Sequence, residues 1–265
     1  MEIKRDFAQV NGTRLYFETA GTGTPLILLH GHACDTRMWD DQFEVFAESY
    51  QVIRYDQRGF GQSAVPTGEP FRPIDDLKAL LEHLGITRAH ILGMSMGGTV
   101  VIDFVLAYPA LTRTLIVVDG DPSGFEIPEM GPLWAAYIAD ARANGPKVAN
   151  KNILSIPVLR ADMAIPHVAR RVEQMHLDYS GWYLLNDDPR IKPETPALHQ
   201  LDRVNVPTLI VMGEDDYPPF REAGDLMWKK IPQAQKVVIP KAGHFSNMCE
   251  PQQFNAVVLD FLKTI

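Results

Sequence analysis

Four short apolar runs constrain what this chain can fold into. They are Leu26-Ile27-Leu28-Leu29, Ala89-His90-Ile91-Leu92, Leu115-Ile116-Val117-Val118 and Leu209-Ile210-Val211-Met212. Each is almost free of polar residues, as expected of strands covered on both faces. Between and after them lie stretches with helical apolar spacing, at Met38 to Ser49, Ile74 to Leu84, Gly97 to Tyr108, Phe220 to Lys230 and Gln252 to Leu262. Gln51 to Tyr55 and Lys236 to Ile239 add two more strands. Ala8-Gln9-Val10 and Arg14 to Thr19 flank Asn11-Gly12 as a hairpin, because an Asn-Gly pair readily takes the left-handed turn that joins two twisted strands. Strands alternating with helices imply an α/β fold whose parallel sheet carries helices on both faces. Ligands of such sheets sit at the carboxyl ends of the strands.

The alternation lapses after Asp119. From Gly120 to Asp202 no comparable strand appears, and nine prolines punctuate short helical stretches, clearest at Leu133 to Ala143 and Val168 to His176. Trp134, Tyr137, Met163, Met175, Trp182 and Tyr183 give this region apolar material to bury, so it reads as a helical insertion and not a linker.

The residues with most chemical meaning are Gly93-Met94-Ser95-Met96-Gly97, a G-x-S-x-G motif between a strand and a helix. A sharp strand-to-helix turn holds its central residue in a strained backbone and lifts the serine above the sheet edge. The helix N-terminus beneath it offers free N–H groups and the positive end of a dipole. A neutral hydroxyl is a poor nucleophile and needs a base. Of eight histidines, His244 follows the last strand and a glycine, and so reaches the same edge. An acid should hold that imidazole. Asp216, three residues past Gly213, is the first candidate; Glu214, Asp215, Asp119 and Asp121 are rivals.

Composition narrows the partners. The 265 residues are 46% hydrophobic and 22% charged, enough for a sizeable core, and the net charge of -8 gives no reason to expect nucleic acid or an anionic membrane surface. No run approaches a membrane span, and no secretory leader is expected. Two cysteines, Cys34 and Cys249, cannot build a disulfide framework, so a reducing, cytoplasmic setting is expected. No cluster has metal-ligand spacing, and no metal or cofactor is expected. The oligomeric state is left open. Arg58 and Asp56 are expected to brace their own loop.

These landmarks resemble the α/β-hydrolase fold family over nearly the whole chain. The resemblance rests on His30-Gly31 after the third strand, Asp56-Gln57-Arg58-Gly59-Phe60-Gly61-Gln62-Ser63, the Ser95 turn, Gly213-Glu214-Asp215-Asp216 and Gly243-His244. The order of Ser, Asp and His is also the family's. It implies an eight-stranded, mostly parallel sheet, a core of residues 1–120 and 203–265, and a helical cap of residues 121–202 after the sixth strand. It further implies an oxyanion hole from the backbone N–H groups of Met96 and His32; the His32 side chain is expected in solvent, with contact to substrate as the alternative. Cys249 stands where the family often has Glu, with Glu250 next. Serine at 95, where some relatives carry Asp, argues against a dehalogenase or epoxide hydrolase.

Within the family the chain is most similar to small carboxylesterases, lactonases and esterase-like cofactor-free haloperoxidases. The expected reaction is hydrolysis of a small to medium, largely uncharged ester or lactone through an acyl-enzyme on Ser95. Candidate pocket residues are Gly31, Met94, Trp134, Tyr137, Met163, Trp182 and Met248, besides Met96. The alternatives are a carbon–carbon hydrolase of diketones, a perhydrolase or haloperoxidase, and a ligand receptor that keeps the fold.

Overall fold

The computed structural model describes residues 2–265. Eight strands form one sheet in the order β1-β2-β4-β3-β5-β6-β7-β8. They are β1 (Ile3–Val10), β2 (Thr13–Ala20), β3 (Pro25–Leu29), β4 (Gln51–Tyr55), β5 (Ala89–Met94), β6 (Thr112–Val118), β7 (Thr208–Gly213) and β8 (Ala234–Ile239). β2 pairs antiparallel with both β1 and β4, and the other pairs are parallel. β3 and β5 are buried along nearly their whole length, as their uninterrupted apolar sequences require. Asn11 turns the β1–β2 hairpin at φ 47.

The sheet is flanked by α1 (Asp40–Ala47), α2 (Pro73–His83), α3 (Met96–Ala107), α9 (Pro218–Lys230), α10 (Ser246–Cys249) and α11 (Pro251–Lys263). Between β6 and β7 lie α4 (Met130–Asn144), α5 (Pro146–Asn152), α6 (Arg160–Met163), α7 (Pro166–Asp178) and α8 (Trp182–Leu185). Prolines begin α5, α7 and several other helices, where a missing N–H costs nothing.

The chain runs from β3 to β4 on one side and from β4 back to β5 on the other. The crevice at this reversal lies beyond the carboxyl ends of β3 and β5, where His30 and Ser95 stand. Such reversal points are where α/β sheets bind ligands. Among the described residues no helix is long and apolar enough to cross a membrane.

Candidate active site

Ser95 sits at φ 52, ψ -120, a conformation that side chains rarely adopt, between the last residue of β5 and the first of α3. The strain is held by two glycines. A Cβ on Gly93 would lie 2.2 Å from the Gly97 carbonyl oxygen, and one on Gly97 would lie 2.6 Å from that of Leu29. Strand and helix therefore pack backbone to backbone, and Ser95 has no room to relax. Its N–H donates to the Val118 carbonyl at 2.9 Å.

His244 and Asp216 meet it there. His244 Nε2 lies 3.0 Å from Ser95 Oγ, and Nδ1 lies 3.0 Å from Asp216 Oδ1. In the neutral ring Nδ1–H donates to the carboxylate, leaving Nε2 to accept the serine proton. The same Asp216 oxygen accepts the Tyr217 N–H at 2.7 Å, while Oδ2 is buried without a partner among the described residues. Burial disfavours the imidazolium, but Asp216, and behind it Asp119 and Asp162, outweigh that and push the His244 pKa up to about 9.

The other carboxylates near the imidazole have different tasks. Glu214 and Asp215 are exposed. Asp119 is fully buried and accepts from the Gly213 N–H at 2.7 Å, the Ser246 N–H at 3.1 Å and the Ser246 hydroxyl, tying β6 to the β7 and His244 loops. Burial and the Asp216 charge push its pKa well up. Asp121 lines the cavity above Ser95, and burial raises it to about 7.

His30 shapes the loop after β3. Its Nε2 accepts the Gln57 N–H at 2.9 Å, so Nδ1–H donates to the Gly31 carbonyl at 2.8 Å. The Gln57 amide closes the arrangement on the His30 carbonyl at 2.7 Å. Burial lowers the His30 pKa to about 4, which keeps this neutral tautomer. Met96 begins α3, so its N–H has no helical carbonyl to bond.

The His32 side chain departs from the sequence expectation of a solvated imidazole. Its ring packs edge-on to Trp134, Tyr179 and Phe60 at 4.6, 5.4 and 5.6 Å, with Nε2 buried and unpartnered. Burial first, then the Arg190 charge, push its pKa well below the usual value, so it is neutral. Trp134 and Tyr179 come from the insert, whose placement over this loop has no local sequence signal.

Two cavities open on Ser95. One, of about 80 Å³, is lined by Gly31, Met94, Trp134, Val158, Leu159 and Phe245 among others, and is apolar but for the imidazoles of His32, His176 and His244. The other, of about 490 Å³, is wider and carries Met96, Thr99, Asp121, Tyr183, Asp188 and Arg190. Arg190 pairs with Asp188 at 2.6 Å and stacks over Tyr183. A bridge between Phe71 and Arg190 fixes its backbone to the loop before α2.

Of the candidate pocket residues, Gly31, Met94, Met96 and Trp134 line these cavities. Four others stand behind the walls, which corrects the expectation. Tyr137 donates its hydroxyl to Asn150, locking α4 to α5. Met163 packs on the main core, Trp182 lies edge-on to Tyr183, and Met248 is fully buried beneath the His244 loop. Large apolar residues at helical spacing do not reveal which side faces substrate.

Arg58 braces its loop: it pairs with buried Asp76 at 2.6 Å and donates to the Asn11 carbonyl at 2.7 Å. Asp56 accepts the N–H groups of Thr36 and Gln62, each at 2.7 Å. Cys34 and Cys249 are free and buried, and burial pushes both thiols up. Among the described residues no group of three or more His, Cys, Asp or Glu could hold a metal ion.

Sequence reasoning missed Phe220, Arg190 and Asp162. The Phe220 ring lies 4.5 Å from His244 and lines both cavities. Asp162, on α6, accepts the main-chain N–H groups of His244 and Phe245.

A strained serine, an imidazole with its acceptor nitrogen at the hydroxyl, and a buried carboxylate behind it together form an arrangement suited to attack on a carbonyl. The sequence profile of the alpha/beta hydrolase family matches residues 26–257. The chain belongs to the alpha/beta hydrolase family. It is 30% identical to a 2-hydroxy-6-oxononadienedioate/2-hydroxy-6-oxononatrienedioate hydrolase of Burkholderia vietnamiensis, over 94% of this chain and 91% of that one. A thermophilic esterase from Thermogutta terrifontis superposes with a TM-score of 0.79 at 27% identity, covering 98% of each chain. The enol-lactonase of Burkholderia xenovorans shares the fold, with a TM-score of 0.83 at 23% identity, over 97% of this chain and all of the other.

Proposed function

We propose that this hydrolase cleaves carboxylic esters or lactones through an acyl-enzyme on Ser95. The observation that carries the reading is the unbroken hydrogen-bond chain from Ser95 Oγ through His244 to Asp216, with both links at 3.0 Å. Ser95 attacks the acyl carbon as His244 Nε2 takes its proton, and Asp216 stabilises the imidazolium that forms. The oxyanion rests on the N–H groups of Met96 and His32, each such donor lowering the barrier by about 3 kcal/mol. His244 then protonates the departing alkoxide, and water clears the acyl group by the same steps in reverse.

The two cavities support a substrate with unequal arms. The compact apolar cavity suits a short hydrocarbon arm. The wider one, with Thr99, Asp121, Asp188 and Arg190 on its walls, suits a larger arm that carries hydrogen-bonding groups. This departs from the largely uncharged substrate expected from sequence, because the charged residues come from the insert and from the loop after β6.

A second reading is hydrolysis of a carbon–carbon bond in a diketone. It is favoured by the Burkholderia vietnamiensis relative and by Arg190 on the wall of the wider cavity that opens on Ser95. p-Nitrophenyl esters from acetate to decanoate, with Ser95→Ala alongside, test the first reading. Activity that falls with acyl length and vanishes in Ser95→Ala supports the ester hydrolase. Absence of ester turnover together with turnover of a vinylogous diketone supports the second.

A further inference from the structure

The imidazole loop is held from an unexpected side. Asp162 lies on α6, in the insert, and is fully buried. Its Oδ2 accepts the His244 N–H at 3.0 Å, and its Oδ1 accepts the Phe245 N–H at 2.8 Å and the Cys249 thiol at 3.2 Å. The contact is close: a Cβ on Gly243 would lie 2.7 Å from either carboxylate oxygen. A carboxylate between two adjacent main-chain N–H groups fixes the two peptide planes that meet at the His244 Cα, and with them the direction of the His244 side chain.

Asp162 is joined to the substrate cavity through its own chain segment. Val158 and Leu159, four and three residues earlier in the same compact segment, line the narrow apolar cavity together with Ile153 and Ile156. An apolar arm that fills this cavity presses on the segment that carries the carboxylate.

We infer that Asp162 is a positioning residue for His244, and that through it the insert makes placement of the base depend on occupancy of the narrow apolar cavity. The inference rests on the reading of His244 as the base of Ser95. Asp162 touches neither substrate nor the reacting atoms. A purely structural carboxylate would stabilise the loop without changing how its effect varies with the substrate's apolar arm.

Two variants test this. Asp162→Asn keeps one acceptor oxygen and leaves one of the two N–H groups without a partner. Gly243→Ala keeps the carboxylate and its charge and displaces it. In both, kcat on p-nitrophenyl butyrate should fall roughly 10²-fold, the order expected for about 1 Å of misplacement. KM should change less than threefold, and the advantage of butyrate over acetate should flatten. Combining the two changes should cost little more than either alone, because both break the same contact.

Asp162→Asn also removes a negative charge near His244, where Asp216, Asp119 and Asp121 remain; Gly243→Ala separates that charge effect from position. The rate at which a fluorophosphonate labels Ser95 is read in parallel and should fall with kcat. Labelling needs no carboxylic substrate, so loss of ester turnover in the wild-type chain would remove the ester reading while labelling still decides on Asp162. A folded Asp162→Asn with wild-type labelling and an unchanged butyrate-to-acetate ratio overturns the inference. Should that variant not fold, the same result in Gly243→Ala overturns it.

Discussion

Replacing Asp216 by asparagine should do far less damage than removing its side chain, and the hydrogen bonds say why. His244 Nδ1 and the Tyr217 N–H both meet Oδ1, whereas Oδ2 is buried with no partner. Asparagine can place its carbonyl oxygen where Oδ1 stands and keep both bonds. The imidazole then keeps the tautomer with Nε2 free to accept, and only the charge is lost. The lift of His244 from 6.5 to about 9 amounts to roughly 3 kcal/mol of imidazolium stabilisation. Asp216 stands first among the three carboxylates that outweigh burial, so losing its charge should remove a large part of this net lift. Asp216→Asn should therefore lower kcat/KM on p-nitrophenyl butyrate roughly 30- to 100-fold, and Asp216→Ala roughly 10⁴-fold. The amide NH₂ would occupy the partnerless Oδ2 site at a cost of about 1–3 kcal/mol in stability, seen as a Tm lowered by a few degrees. Equal losses of 10⁴ in both variants would refute the shared-oxygen argument. A loss below threefold in both would show that another carboxylate serves His244.

The same lifted pKa makes activity and stability respond oppositely to pH. Only the neutral imidazole accepts a proton, so kcat/KM should climb from pH 7 toward an apparent pKa near 9 in the free enzyme. Because the folded value lies above the unfolded 6.5, the stability from this group is complete below pH 6.5 and lost as pH rises through about 9; Tm measured across that window should fall in the wild-type chain and stay flatter in His244→Gln. Gly97→Ala should fail to give folded protein, as its Cβ would lie 2.6 and 2.7 Å from the carbonyl oxygens of Leu29 and His30, and circular dichroism of the expressed variant checks this. Val158→Trp should block the narrow cavity, abolishing turnover of butyrate and longer esters while sparing acetate, which a chain-length series reads directly.

The sheet was legible because its strands are buried on both faces and so carry almost unbroken apolar sequence, as at Leu26–Leu29 and Leu115–Val118. Chain alternation and the resemblance gave the parallel sheet and its ligand-binding edge, whereas the order of the strands and the place of the reversal come from the structure. Ser95 and His244 were legible because the backbone that presents each needs glycine, at Gly93, Gly97 and Gly243. The insert was much less so. Its helices α5, α6 and α8 are four to seven residues long, too short to show an apolar period. Asp162 looks like any surface aspartate, since its partners are main-chain amides more than eighty residues away, and main-chain amides leave no trace in sequence. Arg190 was silent for a related reason: the Asp188-Pro189-Arg190 stretch is polar and proline-bearing, and only its bridge to Phe71 turns it inward. The burial of His32 leaves no sequence signal because the aromatic residues around it come mostly from the insert.

The central claim is that Ser95 carries the acyl group, and the direct measurement is intact-protein mass spectrometry during turnover of a p-nitrophenyl ester, quenched in acid. A single acyl adduct per chain, mapped to the peptide holding Ser95 and absent from Ser95→Ala, is the predicted result. Turnover retained by Ser95→Ala, or an adduct that maps to another residue, would contradict the account.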